Sequence, residues 1–98
     1  MLTHHVLFWL KANTSEEQKQ NFRKGLESLQ EVETVKNIYI GTPALIYRPV
    51  VDSSYTFSLL IFFDNLEDHN IYQAHAVHQK FLENFRALFE KVVIYDSQ

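Results

Sequence analysis

The segment YTFSLLIFFD, which runs from Tyr55 to Asp64, is the longest apolar stretch of the 98-residue chain. Its length and its aromatic and branched residues predict a β-strand. Successive side chains of a strand point to opposite faces, and both alternating sets here are largely apolar. One set is Tyr55, Phe57, Leu59, Ile61 and Phe63, and the other is Thr56, Ser58, Leu60 and Phe62. We therefore expect this strand to be covered on both faces for much of its length.

A helical region is predicted directly after this strand. Asn65, with Asp68 three residues later, is typical of a helix start, and the region extends to about Glu90. His69 lies in the first turn and is expected to be solvated.

Within that region, the segment NIYQAHAVHQKFLENF (70–85) repeats polar ring-bearing residues every three positions. On a helix this spacing places Tyr72, His75 and His78 on one stripe, so a phenol and two imidazoles could share a surface. The stripe is a candidate functional site. The alternative is structural, because helical histidines are commonly surface groups or satisfied core groups, and we favour that reading for His75. Ala76 permits a break in the helix without requiring one.

Two strands and a helix are predicted before the central strand. Residues Leu2–Lys11 form a strand whose alternating sets are both apolar, and Val35–Gly41 forms the next strand. Between them, Thr14 and Glu17 match a capping box. The helix that follows has one apolar stripe, formed by Phe22, Leu26, Leu29 and Val32.

Lys91–Asp96 is predicted as the last strand, so the order of elements is βαββαβ. With right-handed crossovers this order gives a four-stranded antiparallel sheet with both helices on one face. The prediction is an α+β, ferredoxin-like fold in a single domain that spans residues 1–98.

Two helices cover one face of such a sheet and leave the other open. We expect His5, Leu7 and Trp9 to face the helices, and His4, on the other alternation, to meet a partner sheet. The open face would carry Val6, Phe8, Leu10, Ser58, Leu60 and Phe62. This patch is too large for a monomer, so we predict a symmetric homodimer whose two sheets pack face to face.

The segment TPALIYRPVVDSS (42–54) contains both prolines of the chain and ends in Asp-Ser-Ser, which argues against a regular element. Its apolar residues are too many for a free loop. We favour a contact arm for the dimer over a lid for a site.

Composition excludes several classes of function. The net charge of −3 is spread along the chain without a basic run, which argues against binding to nucleic acid. The chain has no cysteine, so disulfides, thiolate zinc sites and cysteine nucleophiles are excluded. The apolar run Val6–Leu10 is too short to span a membrane, and no signal peptide is recognised. We expect a cytoplasmic protein without a membrane partner.

Three motifs together resemble the stress-responsive α/β-barrel (Dabb) domain family of the dimeric α/β-barrel superfamily. They are HHVLFWLK, which contains His5, the phrase Tyr72-x-x-His75-x-x-His78-x-x-Phe81, and the terminal VVIYD. The resemblance spans nearly the whole chain and implies the same fold and the same shared-barrel homodimer. One plant member is a polyketide cyclase that works without metal or cofactor. By that resemblance, His78 would be a general base, His5 its partner on the facing strand, and Tyr72 a hydroxyl that positions the substrate.

The chain departs from the cyclase at three positions. Ala76 replaces the usual proline, Phe57 replaces a histidine, and Leu26 stands near the place of a tyrosine. The pocket predicted here is therefore less polar than that of the cyclase. We expect it to be lined by Leu7, Trp9, Phe22, Leu26, Leu59, Phe81 and Phe85.

The predicted function is binding of a small apolar, polyketide-like or phenolic ligand, with His general acid–base catalysis of a cofactor-independent cyclase or lyase type. A non-catalytic stress-response protein that binds a small molecule is the alternative, and a cofactor-independent monooxygenase is a further one. We expect no cofactor. A metal site of His5, His75 and His78 is a weaker alternative, since that phrase contains no carboxylate.

Overall fold

The computed structural model describes residues 1–98 and contains one four-stranded antiparallel sheet with the strand order β2-β3-β1-β4. The strands are β1 (Leu2–Leu10), β2 (Asn37–Gly41), β3 (Phe57–Phe63) and β4 (Phe89–Ser97). The helices are α1 (Glu16–Ser28), α2 (Leu66–Ala74) and α3 (Ala76–Phe85), with short 3₁₀ turns at Leu29–Glu31 and Arg86–Leu88. The ferredoxin-like fold predicted from the sequence is confirmed, although its second helix is divided in two.

The two faces of β1 are opposite to those predicted, and that prediction is wrong by one residue. The buried set, which faces the helices, is Leu2, His4, Val6, Phe8 and Leu10. The other set is Thr3, His5, Leu7 and Trp9. Antiparallel pairing fixes this choice, because His5 lies opposite Leu60 and Leu7 lies opposite Ser58, and residues directly opposite share a face.

The sheet face away from the helices, called the open face below, has the predicted apolar character but different members on β1. Ser58, Leu60 and Phe62 of β3 are on it as predicted, whereas Val6, Phe8 and Leu10 are in the helix-covered core. The register adds one aromatic residue from β2 and two residues from β4, namely Tyr39, Val93 and Tyr95.

Helix α1 begins one residue later than the predicted capping box. The Ser15 hydroxyl accepts the Gln18 backbone N–H at 3.1 Å, and the Gln18 side chain accepts the Ser15 N–H at 2.8 Å. Thr14 is instead buried, and its hydroxyl donates to the Lys11 carbonyl at 2.6 Å. Helix α2 begins as predicted, with the Asn65 side chain accepting the Asp68 N–H at 2.8 Å.

The core between sheet and helices is a cluster of aromatic rings centred on Phe22 of α1. Its ring is fully buried, and five aromatic centroids lie 5.2–6.0 Å away, mostly edge to face. These five rings belong to Phe8, Phe57, Phe81, Phe85 and Phe89. They come from β1, β3, α3 and the start of β4, so the cluster joins the sheet to the helix layer.

Residues 42–54 form no helix or strand, as the two prolines predict. Leu45, Tyr47 and Val50 are each more than 80% exposed. None of these residues lines the cavity described below, so this segment does not cover a site within its own subunit. None of the helices has the length and apolar character needed to cross a membrane.

Candidate functional site

His75 produces the break between α2 and α3. It has an extended backbone (φ −69°, ψ 145°) and its Nδ1 accepts the Val77 N–H at 3.1 Å, as an N-cap residue does. Its Nε2 lies 3.4 Å from a Glu33 carboxylate oxygen on the outer surface. His75 therefore has a structural position, and the break reorients α3 so that Tyr72 and His78 remain neighbours.

A cavity of about 230 Å³ lies between the sheet and the helices and opens over β4. Most of its wall is apolar. The lining residues are Val6, Phe8, Leu29, Leu59, Phe81, Leu82, Phe89, Val92 and Ile94, together with His4, Tyr72, Gln73 and His78. Val92 and Ile94 are more than a third exposed, so they lie at its mouth. An apolar cavity with a few convergent polar groups is typical of a site for a small molecule.

Tyr72 and His78 are adjacent within this cavity, with ring centroids 4.8 Å apart in an edge-to-face arrangement. Burial raises the pKa of Tyr72 well above its usual range, so its hydroxyl stays protonated. Burial also lowers the pKa of His78, and the neighbouring His4 and His69 lower it further, against an opposing effect of the nearby Gln73 backbone. His78 Nδ1 is buried without a hydrogen-bond partner. A neutral imidazole and a protonated phenol therefore face the same space.

His4 supplies the second imidazole of the cavity and pairs with Asp96 on the neighbouring strand. His4 Nδ1 lies 2.5 Å from Asp96 Oδ1, and His4 Nε2 lies 3.4 Å from Gln73 Nε2. Since a carboxylate only accepts, Nδ1 carries the proton and Nε2 has the lone pair. Burial lowers the pKa of His4, while the hydrogen bond and charge of Asp96 act in the opposite direction.

His69 is not solvated as predicted. Its side chain is 13% exposed, and its ring lies edge to face against His4 and Phe63, at centroid distances of 4.9 and 5.6 Å. Its Nε2 is buried without a hydrogen-bond partner and lies 4.0 Å from Asp96 Oδ2.

His5 does not share the cavity with His78. It lies on the open face, where its Nε2 is 2.8 Å from the Ser58 hydroxyl. Leu7 and Trp9 lie on the same face, and Trp9 donates its indole N–H to Ser54 at 2.9 Å beneath the ammonium of Lys91. These three placements correct the sequence-based prediction. The cause is the one-residue error in the faces of β1, which moves every side chain of a strand to the other side.

The other predicted pocket residues divide into two groups. Leu59 and Phe81 line the cavity, together with Tyr72 and His78. Phe22, Leu26 and Phe85 do not, because the first two are fully buried in the core and Phe85 lies on a separate groove beside Gly25.

Sequence reasoning missed His4, Gln73 and Asp96 as cavity or site residues. One signal for His4 was available: the set Leu2, His4, Val6, Phe8 and Leu10 is more apolar than the set that begins with Thr3. Once His4 is assigned to the cavity side, Asp96 can be assigned there too, because the antiparallel pairing of β1 with β4 puts it opposite His4. Gln73 gave no such signal.

Solved structures with the same fold include a protein from Arabidopsis thaliana. It has a TM-score of 0.84 and 23% identity, with 100% of this chain and 94% of that chain covered. A hydroxynitrile lyase from Passiflora edulis has a TM-score of 0.80 and 20% identity, covering 98% and 90%. A dimeric ferredoxin-like protein from Thermobifida fusca has a TM-score of 0.80 and 19% identity, covering 98% and 88%. At these identities the similarity shows a shared fold.

No curated protein matches the sequence. The profile of the Stress responsive A/B Barrel Domain (Dabb) family matches residues 2–98, which is almost the whole chain. Together with the ferredoxin-like fold, this match shows that the chain belongs to the Dabb family.

Proposed function

We propose that this protein is a homodimeric enzyme that binds a small apolar, polyketide-like or phenolic molecule in the cavity and transfers a proton without a cofactor. The observation that carries the proposal is the unpartnered Nδ1 of His78, whose ring lies 4.8 Å from the Tyr72 ring in a largely apolar cavity wall. A buried polar group is normally hydrogen-bonded, so this imidazole nitrogen has an unused hydrogen-bonding capacity, which we assign to a ligand that enters the cavity.

The roles follow from the protonation states. Neutral His78 accepts a proton from an acidic C–H or O–H group of the ligand, a contribution typically worth about 10²- to 10⁴-fold in rate. Tyr72, which stays protonated, donates a hydrogen bond to the ligand oxygen that gains negative charge. His4, oriented by Asp96, offers the Nε2 lone pair to a ligand hydroxyl. His4 thus has the role that the sequence-based prediction gave to His5, as the partner of His78.

Two reaction types use this set. In a cyclisation, the carbanion formed by proton removal attacks a carbonyl of the same molecule, a C–C bond forms, and the alkoxide recovers the proton from His78. In a lyase reaction, removal of a hydroxyl proton forms a carbonyl as a C–C bond breaks, and the leaving group takes up the proton. The Passiflora edulis hydroxynitrile lyase supports catalytic use of a fold of this kind.

The proposal is tested with nitrobenzisoxazole, a small apolar probe. A base removes its ring proton as the N–O bond breaks, and the product phenolate is coloured. We expect saturable turnover in the wild-type protein. Val92→Trp should lower turnover to background, because the indole at this partly exposed position would fill the cavity mouth.

Lys24→Trp, on the exposed surface of α1, is the control and should retain the wild-type rate. Equal rates in both tryptophan variants would place the reaction outside the cavity. Equilibrium dialysis of the probe distinguishes the enzyme from a non-catalytic binding protein. If the wild type binds the probe without turnover, and Val92→Trp abolishes that binding, the catalytic proposal is overturned in favour of a binding protein.

Mandelonitrile tests the lyase form directly. Loss of its hydroxyl proton and of cyanide yields benzaldehyde, which is followed by its ultraviolet absorbance. Release of benzaldehyde above the rate of Val92→Trp supports the lyase form. Turnover of nitrobenzisoxazole without benzaldehyde release favours the cyclase form.

We also propose that two copies pack through the open face. Leu7, Leu60 and Phe62 form a half-buried apolar patch there, and the exposed arm of residues 42–54 lies at one end of the chain's second strand. The dimeric ferredoxin-like protein from Thermobifida fusca supports self-association of a fold of this kind. A sheet face of this kind is typically covered in a stable oligomer.

Leu60→Glu is expected to convert the dimer into a monomer, because the interface would desolvate a carboxylate without a partner. Size-exclusion chromatography with light scattering at micromolar concentration measures the mass. Ile71→Glu, at a 42% exposed position of α2, should stay dimeric. A monomeric wild type, or an unchanged dimer in Leu60→Glu, would contradict the proposed interface.

A further inference from the structure

We propose that His4, His69 and Asp96 form a binding site for one divalent transition-metal ion of the zinc type. The site lies between α2 and the neighbouring strands β1 and β4. One ligand atom from each residue lies within 4.8 Å of the other two. The proposal goes beyond the proposed function and does not depend on it.

The donor atoms are those that zinc prefers, namely two imidazole nitrogens and one carboxylate oxygen. His4 Nδ1 is 2.5 Å from Asp96 Oδ1, and His69 Nε2 is 4.0 Å from Asp96 Oδ2. Tetrahedral bonds of about 2.0–2.1 Å place donor atoms roughly 3.3 Å apart, which lies between these two distances. The two distances run to different Asp96 oxygens, so binding one ion requires the carboxylate to move away from His4 and towards His69, which its partly exposed position permits.

His69 is the residue that favours an ion over a simple hydrogen-bonded pair. Its Nδ1 lies 3.1 Å from Asn70 Oδ1, an atom that only accepts, so Nδ1 carries the proton and Nε2 has the lone pair. That lone pair is buried, lacks a hydrogen-bond donor and faces a carboxylate, which is also an acceptor. A cation between the two acceptors removes this conflict, and an imidazole N–H donated to an oxygen is the usual second contact of a metal-bound histidine.

The site is also reachable from solvent. The Asp96 side chain is 43% exposed and lines a shallow surface cavity of about 130 Å³ with Leu2 and Leu66. Three protein ligands leave a fourth tetrahedral position, which a water molecule from this cavity could occupy. His4 and His69 are enclosed on the inner side, so the site has a fixed inner wall and an open outer one.

Metal binding would also alter the cavity. With a metal ion on Nδ1, neutral His4 carries its proton on Nε2, so the nitrogen beside Gln73 changes from acceptor to donor. The metal site and the cavity would then be linked through one imidazole ring.

The test is isothermal titration calorimetry of Zn²⁺ into the tag-free, chelator-treated full chain. We expect one ion per chain in the wild type. His69→Leu and Asp96→Asn should each weaken binding by more than the roughly 10- to 100-fold typical of a second-shell change. His5→Gln, the neighbouring residue on the opposite face of β1, is the control and should bind as the wild type does.

A second readout is the visible d–d absorption of Co²⁺, which is intense for tetrahedral coordination and should disappear in both ligand variants. Circular dichroism without metal checks that each variant is folded. If His69→Leu does not fold, the comparison of Asp96→Asn with the wild type is enough for the test. Absence of binding in the wild type, or equal affinity in the wild type, His5→Gln and a folded ligand variant, would overturn the proposal. If the wild type binds no metal ion, His69 is instead a structural group beside Asp96.

Discussion

Phe22→Ala is expected to lower the free energy of unfolding by about 3–5 kcal/mol. Phe22 is fully buried, and five aromatic rings from both layers of the fold surround it. Truncation removes the buried ring and leaves a cavity that its rigid aromatic neighbours cannot fill completely. A domain of this size is typically stable by about 5–15 kcal/mol, so the variant should be folded but markedly weakened.

Urea unfolding at one fixed protein concentration measures the change, because dimerisation makes stability depend on concentration. Ile71→Ala is the control: Ile71 is 42% exposed on α2, and its truncation should alter the free energy of unfolding by less than about 1 kcal/mol. A similar loss in both variants would mean that Phe22 is not the centre of the core.

The fold could be predicted from the sequence because the order and type of its elements depend on apolar patterns, helix caps and prolines, which are visible in a single chain. The central strand is apolar throughout, the Asn65 cap is used as predicted, and prolines exclude regular structure in residues 42–54. Local competition was harder to predict. Ser15 and Thr14 can both cap α1, but the buried Thr14 hydroxyl donates to the Lys11 carbonyl in the preceding turn, which leaves Ser15 as the cap.

The site was harder to predict than the fold, since its composition depends on which way a two-sided apolar strand faces. His4 and His5 are adjacent, so periodicity assigns one of them to the cavity and the other to the open face, and the only sequence signal between them is the more apolar composition of the set that contains His4. The pairing of β1 with β3 settles it, and that register is a property of the folded sheet. Helical spacing pointed to Tyr72 and His78, and their rings are adjacent although the helix breaks at His75 between them.

His78→Ala is expected to lower kcat/KM for nitrobenzisoxazole by about 10²- to 10⁴-fold relative to the wild type, which is the range for loss of a general base. The imidazole is neutral because burial lowers its pKa, and no other side chain occupies its Nδ1. Tyr72 cannot replace it as a base, because its phenol stays protonated. Stopped-flow or steady-state absorbance of the product phenolate measures the loss.

Lys80→Ala is the matched control, since Lys80 lies on the same helix α3 but is exposed and outside the cavity. A surface amine acting non-specifically would make this variant slow, whereas the proposed mechanism predicts the wild-type rate. Imidazole added to His78→Ala should restore part of the rate, because alanine leaves room in the cavity wall for the missing ring. Full activity in a folded His78→Ala, or a rate loss equal to that of Lys80→Ala, would remove His78 from the mechanism and leave the His4–Asp96 pair as the remaining basic group of the cavity.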